Sequence, residues 1–161
     1  MINMEWSQII NDPVLQNLPY KVELNEWGKI TLSPASNRHG MIQAELSGFL
    51  REHKKQGRVV TECSIRTHKG VKVADVSWGT SAFFQRNQFD TPYKEAPEIC
   101  VEIVSPSNTA AEIEEKTSLY LSKGAKEVWV CEESGLIKFY TCRGEAEKSL
   151  LFPDMPDSMD L

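Results

Sequence analysis

The stretch from Pro97 to Cys131 limits the fold of this chain more than any other. Pro97–Val104 is a nearly continuous apolar run, the pattern of a strand buried on both faces, and Ser105-Pro106-Ser107-Asn108 stops it. Thr109-Ala110-Ala111-Glu112 then fits the S/T-x-x-E capping box and opens a helix that reaches Lys123 and ends at Gly124. Glu127–Cys131 reads as a second buried strand. A strand-helix-strand unit of this length predicts a right-handed parallel crossover. A chain carrying one is committed to a sheet with a helix packed against it.

The flanking segments read as antiparallel additions to that unit. Tyr20–Leu24 and Lys29–Leu32 flank Asn25-Glu26-Trp27-Gly28, a hairpin signal in which the glycine supplies positive φ. Ser33-Pro34-Ala35-Ser36-Asn37 breaks the strand and caps a helix running to about Lys55, with Gly57 ending it. Arg58–Arg66 and Val71–Trp78 form a second hairpin through Thr67-His68-Lys69-Gly70, followed by a short helical piece near Phe83. Leu136–Cys142 is the hairpin partner of Glu127–Cys131. The expected class is α/β with a mixed sheet. The first dozen residues and the tail from about Glu145 to Leu161 look structurally weak.

At 161 residues this is a single domain, large enough to bury roughly two-thirds of its unfolded surface without staples. No run approaches the roughly 20 apolar residues of a membrane helix, and Met1-Ile2-Asn3-Met4-Glu5 lacks the layout of a signal peptide, so a cytoplasmic protein without membrane contact is expected. Cys63, Cys100, Cys131 and Cys142 show no C-x-x-C spacing. Three of them sit in strand-like segments, which favours buried thiols over structural zinc. The net charge of −5 argues against strong nonspecific nucleic-acid binding and leaves room for a local basic groove.

Four polar residues break the apolar pattern at positions where burial is costly. Glu45 projects between Met41 and Phe49, inside the apolar face of the first long helix, unless it sits at the edge of the stripe and reaches water. Asp75 shares a strand face with Val71, Val73 and Ser77, where aspartate is a poor strand former; a strand end is the alternative. Glu102 lies in Cys100-Val101-Glu102-Ile103-Val104 and needs a cation, either a metal or a buried basic side chain. Lys116 falls on the inward helix face marked by Ile113, Thr117 and Tyr120, with a surface pair to Glu112 as the alternative. Two carboxylates on neighbouring strands with a lysine from the next helix make a hard, oxygen-rich site suited to Mg²⁺ or Mn²⁺. Metal-assisted phosphodiester hydrolysis is the matching chemistry.

Leu32-Ser33-Pro34-Ala35-Ser36-Asn37-Arg38-His39-Gly40, Val73-Ala74-Asp75-Val76, Pro97–Asn108 and Glu115–Leu121 together resemble a bacterial family of restriction-endonuclease-like proteins within the PD-(D/E)XK nuclease superfamily. The resemblance spans roughly Tyr20 to Tyr140. It implies a restriction-endonuclease-like core of order α-β-β-β-α-β with an N-terminal β-hairpin. It also implies a metal-dependent DNA endonuclease in which Asp75 and Glu102 are the metal ligands, the Ile103 carbonyl adds to them, and Glu45 tunes the site as the first-helix acid. The lysine usual two residues after the second acid is Val104 here, and Lys116 is its substitute; Ala74 stands where the motif has proline.

Cutting a duplex takes two sites, which a homodimer would supply. A second reading is an inactive nuclease-fold module that binds nucleic acid or protein, its site reduced to a Glu102–Lys116 pair. A third is a metal hydrolase acting on small phosphate esters. His39 reads as a packing or hydrogen-bonding residue, Ser105–Asn108 as a capped turn, and Arg51, His53, Lys54, Lys55 and Arg58 as a basic helix end favoured by the helix dipole.

Overall fold

In the computed structural model, which describes residues 4–53 and 56–161, the chain runs α1 (Trp6–Ile10), β1 (Tyr20–Leu24), β2 (Ile30–Pro34), α2 (Asn37–His53), β3 (Arg58–Thr67) and β4 (Gly70–Gly79). It continues with α3 (Ser81–Asn87), β5 (Ile99–Ile103), α4 (Ala110–Ser122), β6 (Glu127–Cys131), β7 (Ile137–Thr141) and β8 (Gly144–Ala146). β1 and β2 form their own two-stranded sheet, and the rest form a six-stranded sheet in the order β3-β4-β5-β6-β7-β8. β5 and β6 pair in parallel while their outer neighbours pair antiparallel. The expected crossover is therefore present, and α2-β3-β4-β5-α4-β6 reproduces the α-β-β-β-α-β order with α3 inserted. Both halves of the capping box form at Thr109 and Glu112. The predicted end of α2 at Lys54-Lys55 lies outside the described residues.

The sheet is covered on two faces. Ile42, Leu46 and Leu50 of α2 pack with Val76, Ile99, Val101, Ile103 and Trp129, while Tyr120 of α4 packs with Cys63, Ile65, Ala74, Cys100 and Val128 on the other side. A third cluster of Trp6, Ile9, Leu24, Val71 and Val73 fixes α1 and β1 against the first half of β4. Gly70, at φ +88°, turns the β3–β4 hairpin so close to β1 that a Cβ would collide with the Leu24 and Asn25 carbonyls. The three strand cysteines are buried free thiols and Cys142 is an exposed one.

Two expectations about the ends need correcting. Trp6 and Ile9 are buried rather than frayed, because the hairpin offers them Leu24 as an apolar seat. The tail from Glu145 onward is docked: Phe152 and Met155 are buried in the α2-side core. The buried Glu127 carboxylate anchors it by accepting hydrogen bonds from Ser149, Leu150 and Leu151.

The alternation of β4 breaks at Asp75. Ala74 and Val76 have the same parity and should face the same side, yet Ala74 belongs to the α4-side cluster and Val76 to the α2-side cluster. Opposite the break, Glu62 adopts φ 52°, and the Glu62–Asp75 pair is missing from an otherwise continuous ladder between Thr61↔Val76 and Cys63↔Ala74. Left-handed backbone at a non-glycine residue is uncommon and costs of order 1–3 kcal/mol. Here it frees the Asp75 carbonyl from the ladder, and the Gln43 side-chain amide donates to it at 2.8 Å.

Candidate active site

β4 and β5 pair through Val76↔Val101, Ser77↔Cys100 and Trp78↔Ile99. One step beyond the Val76↔Val101 pair stand Asp75 and Glu102, so the register itself sets the two carboxylates side by side. Both are almost fully buried, at 1% and 2% exposure. The Ile103 N–H donates to Asp75 Oδ2 at 2.7 Å. Asp75 Oδ1 faces Lys21 Nζ at 2.9 Å and His39 Nε2 at 3.3 Å. Glu102 Oε2 faces Lys116 Nζ at 2.9 Å and Lys21 Nζ at 3.4 Å, and Glu102 Oε1 accepts from the Tyr120 hydroxyl at 2.6 Å. Lys116 also contacts Glu23 at 2.9 Å, and Glu23 is held by the Val73 N–H at 2.7 Å. Lys21, Glu23, His39, Asp75, Glu102 and Lys116 line a cavity of about 750 Å³, whose wall also carries Glu62, Lys72, Glu112 and Glu115.

Charge on the site follows from burial competing with neighbours. Burial opposes ionisation of Asp75, but Lys21 and His39 outweigh it and hold the carboxyl below its usual range. Glu23 is likewise lowered against burial by Lys116 and Lys21. Burial wins at Glu102, whose pKa is raised despite the same two ammonium groups. Burial also pushes the Tyr120 phenol well up, keeping it a neutral donor. Desolvation disfavours the Lys21 ammonium, yet Glu102, Asp75 and Glu23 more than offset it and raise its pKa.

His39 is shifted upward chiefly by its hydrogen bond to Asp75, against partial burial. A raised folded-state value means that the His39–Asp75 contact stabilises the fold fully below the ordinary histidine pKa of about 6.5 and fades as pH rises through the folded value. NMR titration of the His39 ring should give a midpoint above that value in the wild type, returning toward it in Asp75→Asn. An unshifted wild-type midpoint would remove the contact.

Asp75, Glu102 and Lys116 thus converge, while Glu45 does not. Glu45 is exposed, because the buried stripe of α2 runs through Ile42, Leu46 and Leu50 and Met41 is 58% exposed. The apolar face is rotated away from the Met41 side, and the flank that reaches the cavity carries His39 and Gln43 instead. Lys116 pairs with Glu102 and Glu23, not with Glu112. Ser105–Asn108 is a capped turn in which Asn108 Oδ1 accepts from the Ser105 N–H and hydroxyl. Sequence reasoning missed Lys21, Glu23, Gln43, Glu62 and the Tyr120 hydroxyl. The available signal was parity: Lys21 and Glu23 share one strand face opposite Val22 and Leu24.

The donor set fits a hard divalent cation. Asp75 and Glu102 are adjacent buried carboxylates, and His39, Glu62 and Asp75 offer ligand atoms within 4.8 Å of one another. Carboxylate oxygens suit Mg²⁺ and an imidazole extends the range to Mn²⁺.

The mixed six-stranded sheet with its α-β-β-β-α-β core is a restriction-endonuclease-like fold. The sequence matches the model of a family described as "Uma2: Putative restriction endonuclease" over residues 12–151, and the chain belongs to that family. It is similar in fold to a solved structure described as a putative nuclease belonging to DUF820 from Anabaena variabilis, with a TM-score of 0.66 and 19% identity over 84% of this chain and 73% of that one. No curated protein matches the sequence. Among the described residues no helix is long and apolar enough to cross a membrane.

Proposed function

We propose that this protein is a divalent-metal-dependent endonuclease that hydrolyses phosphodiester bonds in DNA. The observation that carries the reading is the side-by-side placement of Asp75 and Glu102 with the Lys116 ammonium 2.9 Å from Glu102. Asp75 and Glu102 would hold Mg²⁺ or Mn²⁺, with His39 and Glu62 within reach. A bound ion of this kind polarises a phosphate oxygen and lowers the pKa of water. Lys116 has three N–H donors, and contacts to Glu102 and Glu23 engage two of them. The remaining donor can orient the attacking water or a phosphate oxygen. Tyr120 fixes the Glu102 carboxylate from behind, and Gln43 fixes the Asp75 backbone. The described residues form one such site, so double-strand cleavage would take two copies.

Cleavage of supercoiled plasmid with Mg²⁺ or Mn²⁺ tests this directly, comparing the wild type with Asp75→Ala and Glu102→Ala. Nicking that needs the metal and disappears in both variants is the expected result. Retained nicking in either variant would show that the site lies elsewhere. A second reading, a non-catalytic module of the same fold that binds nucleic acid or protein, draws on the fact that Lys21 and Lys116 already neutralise the acids as a structural ion-pair cluster would. Failure of the wild type both to bind Mn²⁺ and to cleave would favour it.

A further inference from the structure

We infer that the Lys21 ammonium is a built-in competitor of the divalent cation, bridging Asp75 and Glu102 until an ion displaces it. The inference rests on the metal-dependent reading above and concerns how ion binding at that site is controlled. Lys21 Nζ lies 2.9 Å from Asp75 Oδ1 and 3.4 Å from Glu102 Oε2. Asp75 Oδ1 also faces His39, and Glu102 Oε2 also faces Lys116. The other two oxygens are taken by the Ile103 N–H and the Tyr120 hydroxyl. Each oxygen turned toward the cavity is therefore already shared by two cationic or potentially cationic donors. An ion binding these oxygens at roughly 2.0–2.1 Å, as Mg²⁺ requires, would compete with Nζ for the same space and face it as a like charge.

Lys21 and Lys116 differ in how they are held. Lys116 is tied to Glu23 as well as to Glu102, so it keeps a carboxylate when Glu102 is claimed by an ion. Both ion-pair partners of Lys21 are the acids an ion would take. Its unbranched stem stands on β1 at the wall of the 750 Å³ cavity, which gives the released ammonium somewhere to go. Without a cation, two adjacent buried carboxylates would repel each other. Lys21 thus preserves the shape of the metal-free site and in doing so weakens ion binding.

Mn²⁺ binding, measured by calorimetry and by electron paramagnetic resonance of the free ion, should be at least tenfold tighter in Lys21→Met than in the wild type. Lys21→Arg, which keeps the charge, should not bind more tightly than the wild type. In ¹⁵N-labelled wild-type protein, saturating Mg²⁺ should shift or broaden the Lys21 ammonium resonance while that of Lys116 persists. Equal or weaker Mn²⁺ binding by a folded Lys21→Met, or a Lys21 resonance unmoved by saturating Mg²⁺, would overturn the inference and leave the metal site standing. If Lys21→Met does not fold, the wild-type resonance decides. Absence of Mn²⁺ binding in both the wild type and Lys21→Met would overturn the metal-dependent reading and this inference with it.

Discussion

Lys116→Ala should lose nicking activity by about 10²–10⁴-fold, the usual contribution of a positioned proton-transfer group, while still binding Mn²⁺. On the proposed reading Lys116 acts on water or phosphate, from a position held by Glu102 and Glu23 at 2.9 Å each. Removing it takes away a positive neighbour of the ion site and leaves Asp75 and Glu102 in place. The same change should destabilise the metal-free protein by about 3–5 kcal/mol, the typical effect of breaking a buried ion pair. Protonation of Glu102, whose pKa is already raised by burial, limits the loss at low pH. Urea unfolding read beside Mn²⁺ titration separates the two effects. Full cleavage by Lys116→Ala would show that another group activates the nucleophile, even with the metal site intact.

Glu127→Ala should be the most damaging single change away from the cavity, costing about 3–5 kcal/mol, since each buried donor left without a partner costs about 1–3 kcal/mol and water can relieve some of them. Its carboxylate accepts from Trp129 Nε1 at 2.8 Å, Ser149 Oγ at 2.6 Å, and the Leu150 and Leu151 N–H groups at 2.8 and 2.9 Å. Loss of that anchor releases the segment that seats Phe152 against Trp78 and Trp129. For a domain of this size the melting temperature should fall by roughly ten degrees. Hydrogen exchange at the backbone amides of residues 150–155 should speed up before that of β5 and β6. A loss under about 1 kcal/mol would mean that the tail is held by its apolar contacts and by its backbone bonds to Gly135 and Ile137 without need of the carboxylate.

The fold was legible because its central unit is marked by several independent signals. The apolar run, the Ser-Pro-Ser-Asn stop and the Thr109/Glu112 capping box all place the strand-helix-strand crossover, and the structure confirms each. Asp75, Glu102 and Lys116 stood out because they were charged at positions whose neighbours were apolar. The tail was misread because its partners are all distant in sequence: the Glu127 carboxylate, the core that receives Phe152 and Met155, and the backbone of Gly135 and Ile137; nothing local to 145–161 shows that they exist. Glu45 was misread because a hydrophobic stripe locates a helix face only to within tens of degrees, and the exposed Met41 pulled it the wrong way. Lys21 and Glu23 were passed over because charges on a short strand beside a turn ordinarily face water. Only the seating of the β1–β2 hairpin over β4 buries them, and that long-range contact leaves no local trace.

The contact from Lys21 to Glu102 spans 81 residues, and that span has a consequence for synthesis. The cavity draws on β1, α2, β4, β5 and α4, so no fragment that emerges early contains it. At about 5–20 residues per second, roughly 5–20 seconds separate the translation of Lys21 from that of Lys116. During that interval the nascent chain carries unpaired acids and an unpaired lysine but no assembled pocket. A chain abandoned before α4 is made would hold neither Lys116 nor Tyr120, so on the proposed reading such truncated products should not cleave DNA.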